Sequence, residues 1–333
     1  MRVPYDEMKD ELKRVLLSRG FEDERAEIGA TIITDNSCDG VYSHGLNRFP
    51  TIVQYLDEEA IKPSALPIKL HAIGALEQWD GQMGFGPINA AIAMDRAIEL
   101  AGQFGLGCVA LRNTNHWLRG GTYGLRAADA GCIGICMTNT IPNMPPWGGT
   151  ENRIGNNPFI LSIPESNGRH VLLDMAQSQF SFGKLQTYSL RGDKLPVTGG
   201  YDAEGNLTDD PDAIINGGTV IPAGYWKGSG LSIAIDMMVA ALSAGRSAAD
   251  IGAAGQEIGI SQVFIAINPK SYAGEEYADA YITNMSESIK SSSTTAGSGE
   301  ILYPGERAAR EREENLKNGI PVNQEIWERV KQL

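Results

Sequence analysis

His44 and Arg48 stand four residues apart in the run Gly40-Val41-Tyr42-Ser43-His44-Gly45-Leu46-Asn47-Arg48-Phe49-Pro50. An imidazole can hand a proton to a developing alkoxide, and a guanidinium can grip a carboxylate through two parallel hydrogen bonds. Reduction of a 2-oxo acid asks a protein for those two groups. The same pair could also be an ordinary surface histidine and arginine at a helix start. A second run, Arg112-Asn113-Thr114-Asn115-His116-Trp117-Leu118-Arg119-Gly120-Gly121-Thr122-Tyr123-Gly124, puts amide, imidazole, indole and guanidinium groups between a strand and a helix. α/β proteins place ligands there, although a satisfied turn with Trp117 packed on the core reads as well. His71 and His170, the remaining histidines, fall in or at the start of apparent strands and read as structural.

Two more segments could serve a ligand. Asp174 closes the apolar run Val171-Leu172-Leu173, where a carboxylate can accept ribose hydroxyls or cap a helix. Tyr225-Trp226-Lys227-Gly228-Ser229-Gly230-Leu231 opens a long apolar helix, so its first amides and Lys227 could seat a phosphate; a plainly capped helix fits equally. Asp236, inside that helix, needs a partner if it is buried.

The elements that must position these groups follow from periodicity. Residues 5–19 show helical spacing at Tyr5, Met8, Leu12, Val15 and Leu16 and stop at Gly20. A second helix is predicted over 23–34, with Ala26, Ala30 and Ile33 on one face and Gly29 inside it. A third carries Ile52, Val53, Tyr55 and Leu56, with Pro50 tolerable only in its first turn. That sets His44 and Arg48 at or before a helix N-terminus, where the helix dipole favours anions. Beyond residue 68 the spacing predicts strands over 69–73, 75–79, 107–111, 133–138, 158–163, 171–175 and 262–267. Helices are expected over 87–103, 123–130, 182–190, 229–244 and 306–317. Residues 205–222 read as a polar surface excursion, 251–259 as glycine-rich, and 286–299 as a mobile Ser/Thr-rich stretch. The layout is α/β: a helical lobe from residues 1–67 and about 300–333, around a central mixed-sheet domain over 68–299.

A chain of 333 residues can hold two cores, and its formal charge of -13 argues against nucleic acid, whose phosphates need Lys and Arg. The first twenty residues are interspersed with charge and lack the apolar stretch of a signal peptide. No apolar run approaches the ~20 residues of a membrane helix. Cys132 and Cys136 should share one buried strand face as core residues rather than hold zinc or pair. These features fit a reducing, cytoplasmic setting without a membrane partner.

A dinucleotide fingerprint would be Gly-x-Gly-x-x-Gly between strand and helix. Gly81-Gln82-Met83-Gly84-Phe85-Gly86 has the wrong spacing, and Gly228-Ser229-Gly230 lacks the third glycine. Walker, Gly-x-Ser-x-Gly and His-Glu-x-x-His patterns are absent too. Five runs together nevertheless resemble the type-2 malate/L-lactate dehydrogenase family, and within it the 2,3-diketo-L-gulonate reductases. They are 41–50, Glu77-Gln78-Trp79-Asp80, 110–117, Met144-Pro145-Pro146-Trp147-Gly148 and 224–230. The resemblance implies a non-Rossmann, L-sulfolactate dehydrogenase-like fold, a homodimer, a 2-oxo acid substrate, and NAD(H) as cofactor with NADP(H) as the alternative. It implies His44 as proton donor, with Arg48 and His116 binding and polarising the substrate. It also implies cofactor contacts from His170, Val171, Leu172, Leu173, Asp174, Met175 and Ala176, from Trp226 and Lys227, and from Gly305, Glu306 and Arg307. The chain departs from that pattern around Ala176-Gln177 and at Arg307, within the cofactor segments. Another 2-oxo acid or a cyclic imino acid is the alternative substrate, and a non-catalytic sugar-acid binding protein is the alternative outside enzymes. Simple binding needs no proton donor, which weighs against the last.

Overall fold

The computed structural model describes residues 1–165, 168–295 and 299–333. After β1 (Arg2–Val3), helix α1 (Tyr5–Ser18) buries Met8, Leu12, Val15 and Leu16 at the expected spacing. Helix α2 (Asp23–Cys38) buries Ala26, Ala30 and Ile33 as expected but continues past residue 34. Its last turn holds Asn36, Ser37 and Cys38, which look like a helix end in isolation yet are buried against later segments. Gly29 inside α2 marks a close crossing, because a Cβ there would sit 3.0 Å from Phe85 and 3.1 Å from Leu16. Two single 3-10 turns, Tyr42–His44 and Leu46–Arg48, then lead into α3 (Phe49–Asp57), with Pro50 in its first turn. The core under these helices is completed from the far end of the chain. Ile320 of β12 (Ile320–Pro321) and Trp327 and Val330 of α13 (Gln324–Lys331) all pack into it.

A seven-stranded sheet in the order β2-β3-β4-β11-β5-β6-β7 forms the middle of the molecule. Its strands are β2 (Ile68–Ile73), β3 (Leu76–Asp80), β4 (Leu106–Asn115), β5 (Ile133–Thr138), β6 (Phe159–Ile163), β7 (Val171–Met175) and β11 (Ile258–Ile267). Within it only β3 and β4 pair in parallel. One parallel strand-helix-strand unit joins β3 to β4, and the sheet lacks the repeated series of such units that builds a dinucleotide fold. Side chains alternate across it. Val109, Leu111, Cys136 and Phe264 face α4 (Gly86–Phe104) and α5 (Gly121–Asp129), while Cys108, Ala110, Met137 and Val263 face α8 (Trp226–Ser243). Cys132 and Cys136 do share one core, and all four cysteines are buried free thiols.

Strand β4 is longer than expected, so residues 112–115 belong to the sheet rather than to a loop. The polar stretch 205–222 is also more ordered than its composition suggests. It contributes β9 (Leu207–Thr208), α7 (Pro211–Ile215) and β10 (Thr219–Val220). With β8 (Gly200–Tyr201) these make a small sheet beside α6 (Phe182–Arg191), cored by Leu185, Leu195 and Ile214. Helix α9 (Ala248–Ala254) precedes β11, and α10 (Lys270–Ala273) follows it. The stretch expected to be mobile begins inside α11 (Glu275–Lys290), an element the sequence did not announce, and residues 296–298 of it lie outside the described residues. Helix α12 (Glu306–Asn318) starts one residue after Gly305, as the charge pattern suggested. Among the described residues no single helix is long and apolar enough to cross a membrane.

Candidate active site

The 3-10 turns are held by groups from α2 that local sequence patterns do not reveal. Asn36 Nδ2 donates to the carbonyl of His44 at 2.9 Å, and Asn36 Oδ1 accepts from Thr122 Oγ1 at 2.7 Å. Ser37 Oγ accepts from the Leu46 amide at 2.8 Å. Gly45 is required here: a Cβ on it would lie 2.2 Å from Ser37 Oγ, inside van der Waals contact. The backbone on both sides of His44 is thereby fixed to the helical lobe and, through Thr122, to α5.

His116 arrives from the end of β4. Leu118 takes a left-handed conformation (φ 70°), and its amide donates to His116 Nδ1 at 3.0 Å. A neutral His116 must then carry its proton on Nε2. The two rings stack, with centroids 5.7 Å apart and planes 18° apart, although 72 residues separate them in the chain. His44 Nδ1 lies 3.0 Å from Ser43 Oγ. Arg48 reaches Glu257, just before β11, with Nη2 3.6 Å from Oε2, and Glu257 Oε1 accepts from the Ile141 amide at 3.3 Å.

Burial governs the protonation of these groups. It pushes the His116 pKa well below the ordinary histidine value, and the neighbouring Arg48 and His44 charges push it the same way. His44 is lowered too, again first by burial; Arg48 and Arg119 add to the effect and Asp174 opposes it. Glu257 is raised by burial against the pull of Arg48 and the Ile141 amide. The site therefore favours neutral imidazoles and permits a protonated carboxyl around Arg48.

The three segments expected to meet a cofactor touch in pairs along residues 170–177, one at each end. The Leu172 amide donates to the Pro304 carbonyl at 2.9 Å. Gly305 (φ 98°) packs so closely that a Cβ would be 3.0 Å from Leu172 N and 3.1 Å from His170 O. On the other side the Ala223 amide donates to Gln177 O at 2.7 Å, and Gly228 packs on the same carbonyl. A cavity of about 540 Å³ opens beside this junction, lined in part by His170, Leu172, Gly305, Glu306, Arg119 and Arg310. His44, Arg48, His116, Asp174, Trp226 and Lys227 do not line it.

Individual residues refine these expectations. His170 holds the Glu165 amide on Nδ1 (2.9 Å) and sits 3.0 Å from Asp129 through Nε2, so its ring fastens the segment. Asp174 Oδ2 accepts from the Gly121 amide at 2.8 Å, capping α5 and not the next helix in sequence. Glu306 is buried, with Oε1 taken by Lys290 and Arg310, while Oε2 has no hydrogen-bond partner among the described residues. Arg307 is exposed and outside the cavity lining. The helix-amide phosphate seat needs correction: the amides of Lys227, Gly228 and Ser229 already bond to Gly224, Ala223 and Tyr225 carbonyls in the turn entering α8. What this segment offers a ligand is the exposed Lys227 ammonium and the Trp226 indole. Trp147 anchors the turn, its amide donating to Ser229 Oγ at 3.0 Å and its ring lying 4.8 Å from that of Tyr225. Asp236 finds its partners in Asn139 Nδ2 and the Ala248 amide, both at 2.9 Å. Glu257 is the site residue sequence reasoning missed, since it sits in a glycine-rich stretch with no motif around it.

Residues 3–331 match the sequence pattern of the malate/L-lactate dehydrogenase family. The chain belongs to that family. It is 45% identical over 334 aligned positions to the 2,3-diketo-L-gulonate reductase of Citrobacter koseri, with both chains covered completely. Among solved structures it is similar to sulfolactate dehydrogenase from Methanocaldococcus jannaschii, at TM-score 0.91 and 30% identity, covering 100% of this chain and 96% of that one. It is also similar to delta1-piperideine-2-carboxylate reductase from Pseudomonas syringae, at TM-score 0.85 and 26% identity, covering 100% and 99%. The family's members are dehydrogenases and reductases, and this chain is an oxidoreductase with their fold.

Proposed function

We propose that this protein reduces a 2-oxo acid with a nicotinamide cofactor, that its substrate is 2,3-diketo-L-gulonate, and that His44 donates the proton. The observation that carries the reading is the stacked His44–His116 pair beside Arg48. The 45% identity to a 2,3-diketo-L-gulonate reductase supports the substrate. The 26% likeness to delta1-piperideine-2-carboxylate reductase keeps a cyclic imino acid as the second reading.

In this reading the lobe of residues 1–67 and about 300–333 brings the acid and carboxylate clamp, and the body over 68–299 brings most cofactor contacts. Arg48 grips the substrate carboxylate and fixes which carbonyl face is presented. His116, neutral with its proton on Nε2, donates a hydrogen bond to the carbonyl oxygen and polarises it. His44 then gives its proton to that oxygen as negative charge develops. The residues at the three-segment junction fit a dinucleotide. Glu306 Oε2, without a partner among the described residues, is a buried acceptor suited to a ribose hydroxyl, and Lys227 is a cation suited to a phosphate. When bound, the reduced nicotinamide supplies the hydride.

NADH and NADPH oxidation, followed by absorbance against 2,3-diketo-L-gulonate, oxaloacetate, pyruvate and delta1-piperideine-2-carboxylate, tests this function. The reading expects the highest kcat/KM for 2,3-diketo-L-gulonate. A higher value for the imino acid moves the assignment to the second reading, and no turnover of any member with either cofactor removes the enzyme reading.

The proposal includes a homodimer. Helix α8 is apolar on its outer side as well, with Met237 68% exposed and Leu231 39% exposed, a surface that association would cover. Sedimentation of the protein at micromolar concentration should give twice the chain mass; a monomer there would remove this part.

A further inference from the structure

Glu257 holds Arg48 in a pairing that a substrate must disturb. Its Oε1 is committed to the Ile141 amide, while Oε2 faces Arg48 Nη2 at 3.6 Å, too far for a hydrogen bond. The carboxyl side chain is 15% exposed, and its guanidinium partner 34%. The pair is therefore loose, and Arg48 is partly open to solvent.

Resting on the clamp reading above, we infer that Glu257 is a positioning residue for Arg48 which takes up one proton when a substrate carboxylate engages that guanidinium. Two carboxylates facing one half-buried cation leave a net negative charge beside a carboxyl that is itself only 15% exposed. A proton from solvent on Glu257 Oε2 removes that charge. It also turns Oε2 from an acceptor competing for Arg48 into a donor that can bond the incoming carboxylate. No bond other than this O–H is made or broken.

The cation facing Glu257 opposes its protonation, and burial outweighs it. Arg48 stands alone against it from the 3-10 turn, with His44 and His116 stacked nearby, and both rings are held towards neutrality by burial and by Arg48 itself. From the strand side Arg246 Nη1 donates to the carbonyl of Ile258, the next residue, at 3.4 Å. Burial already raises the Glu257 pKa in the free protein, and a second carboxylate on Arg48 raises it further. The sign follows from linkage. Below the free-protein pKa Glu257 is protonated in both states, and binding does not depend on pH. Between the free and bound values binding takes up a proton, so affinity falls by up to about tenfold per pH unit as pH rises. Above the bound value the dependence ends.

Calorimetric titration of oxamate into the protein with NADH and NADPH present, in buffers of different ionisation enthalpy, reads this proton directly. Wild-type protein should take up close to one proton per oxamate within that window, and its affinity should fall with rising pH. Glu257→Gln should bind oxamate with little uptake and a flat pH profile, and Glu257→Asp should restore the uptake. His44→Gln should keep it, which separates Glu257 from the other titrating group. Uptake in E257Q equal to wild type, or a flat wild-type affinity, overturns the proposal. Arg48→Lys distinguishes this from failure of the underlying reading. If R48K weakens oxamate binding while E257Q keeps its proton uptake, only the Glu257 role falls. If R48K binds oxamate like wild type, or wild type does not bind it, the clamp and this proposal fall together.

Discussion

Replacing His44 with glutamine should lower turnover by about 100- to 10,000-fold, the usual contribution of a positioned proton donor. That corresponds to roughly 3–5 kcal/mol of lost transition-state stabilisation. Glutamine preserves most of the side-chain volume and a hydrogen-bonding end, so packing beside His116 and the Asn36 bond to the residue 44 carbonyl should survive even though the ring stack is lost. The loss should therefore fall on kcat. Cofactor affinity should stay near wild type, because the junction of residues 170–177, 222–228 and 304–306 is held by bonds that do not involve His44. Steady-state kinetics with a cofactor-fluorescence titration separates the two; a parallel loss of cofactor binding would instead indicate a collapsed site.

Replacing Arg48 with lysine should raise KM for the substrate by about 10- to 150-fold, the range for losing a hydrogen bond to a charged group. Lysine keeps the charge but presents a point in place of a two-pronged fork. The shorter reach also releases Glu257, whose contact with Arg48 already spans 3.6 Å. If Arg48 merely decorated a helix start, the substitution would change little, as surface ion pairs are worth about 0–1 kcal/mol. An unchanged KM would favour that plainer reading.

The elements with strong local periodicity were legible in the chain itself. Helix α1 shows its buried face at Met8, Leu12, Val15 and Leu16, and β5 and β11 read as strands because apolar runs fill both faces of a covered sheet. The turns that carry His44 and Arg48 were not legible, since Asn36, Ser37 and Thr122 hold them from elsewhere. The same reason hides β1 and β12, two-residue strands that exist only because the chain ends meet. Residues 205–222 look like a loop because their small sheet is stabilised by Leu185, Leu195 and Ile214 rather than by alternation within its own strands.

Within the site, His44 and His116 stood out by rarity and polar surroundings, but nothing local says that their rings stack. Glu257 lies 209 residues after Arg48 and acquires meaning only from that contact. Gly305 and Glu306 entered through the family resemblance. Their physical signature, a left-handed glycine wedged on β7 and a half-partnered buried carboxylate, appears only in three dimensions.

Protonation by His44 is tested most directly by the pH profile of kcat for reduction of saturating 2,3-diketo-L-gulonate, in wild type and H44Q. Reduction consumes the imidazolium form, and burial lowers the His44 pKa below the ordinary histidine value. Wild-type kcat should therefore be greatest at acid pH and fall about tenfold per unit once pH exceeds the His44 pKa of the substrate-bound enzyme, which kcat reports. In H44Q the residual kcat should be low and flat across the same range. A variant that keeps near-wild-type turnover, with the alkaline fall still present, would contradict the account.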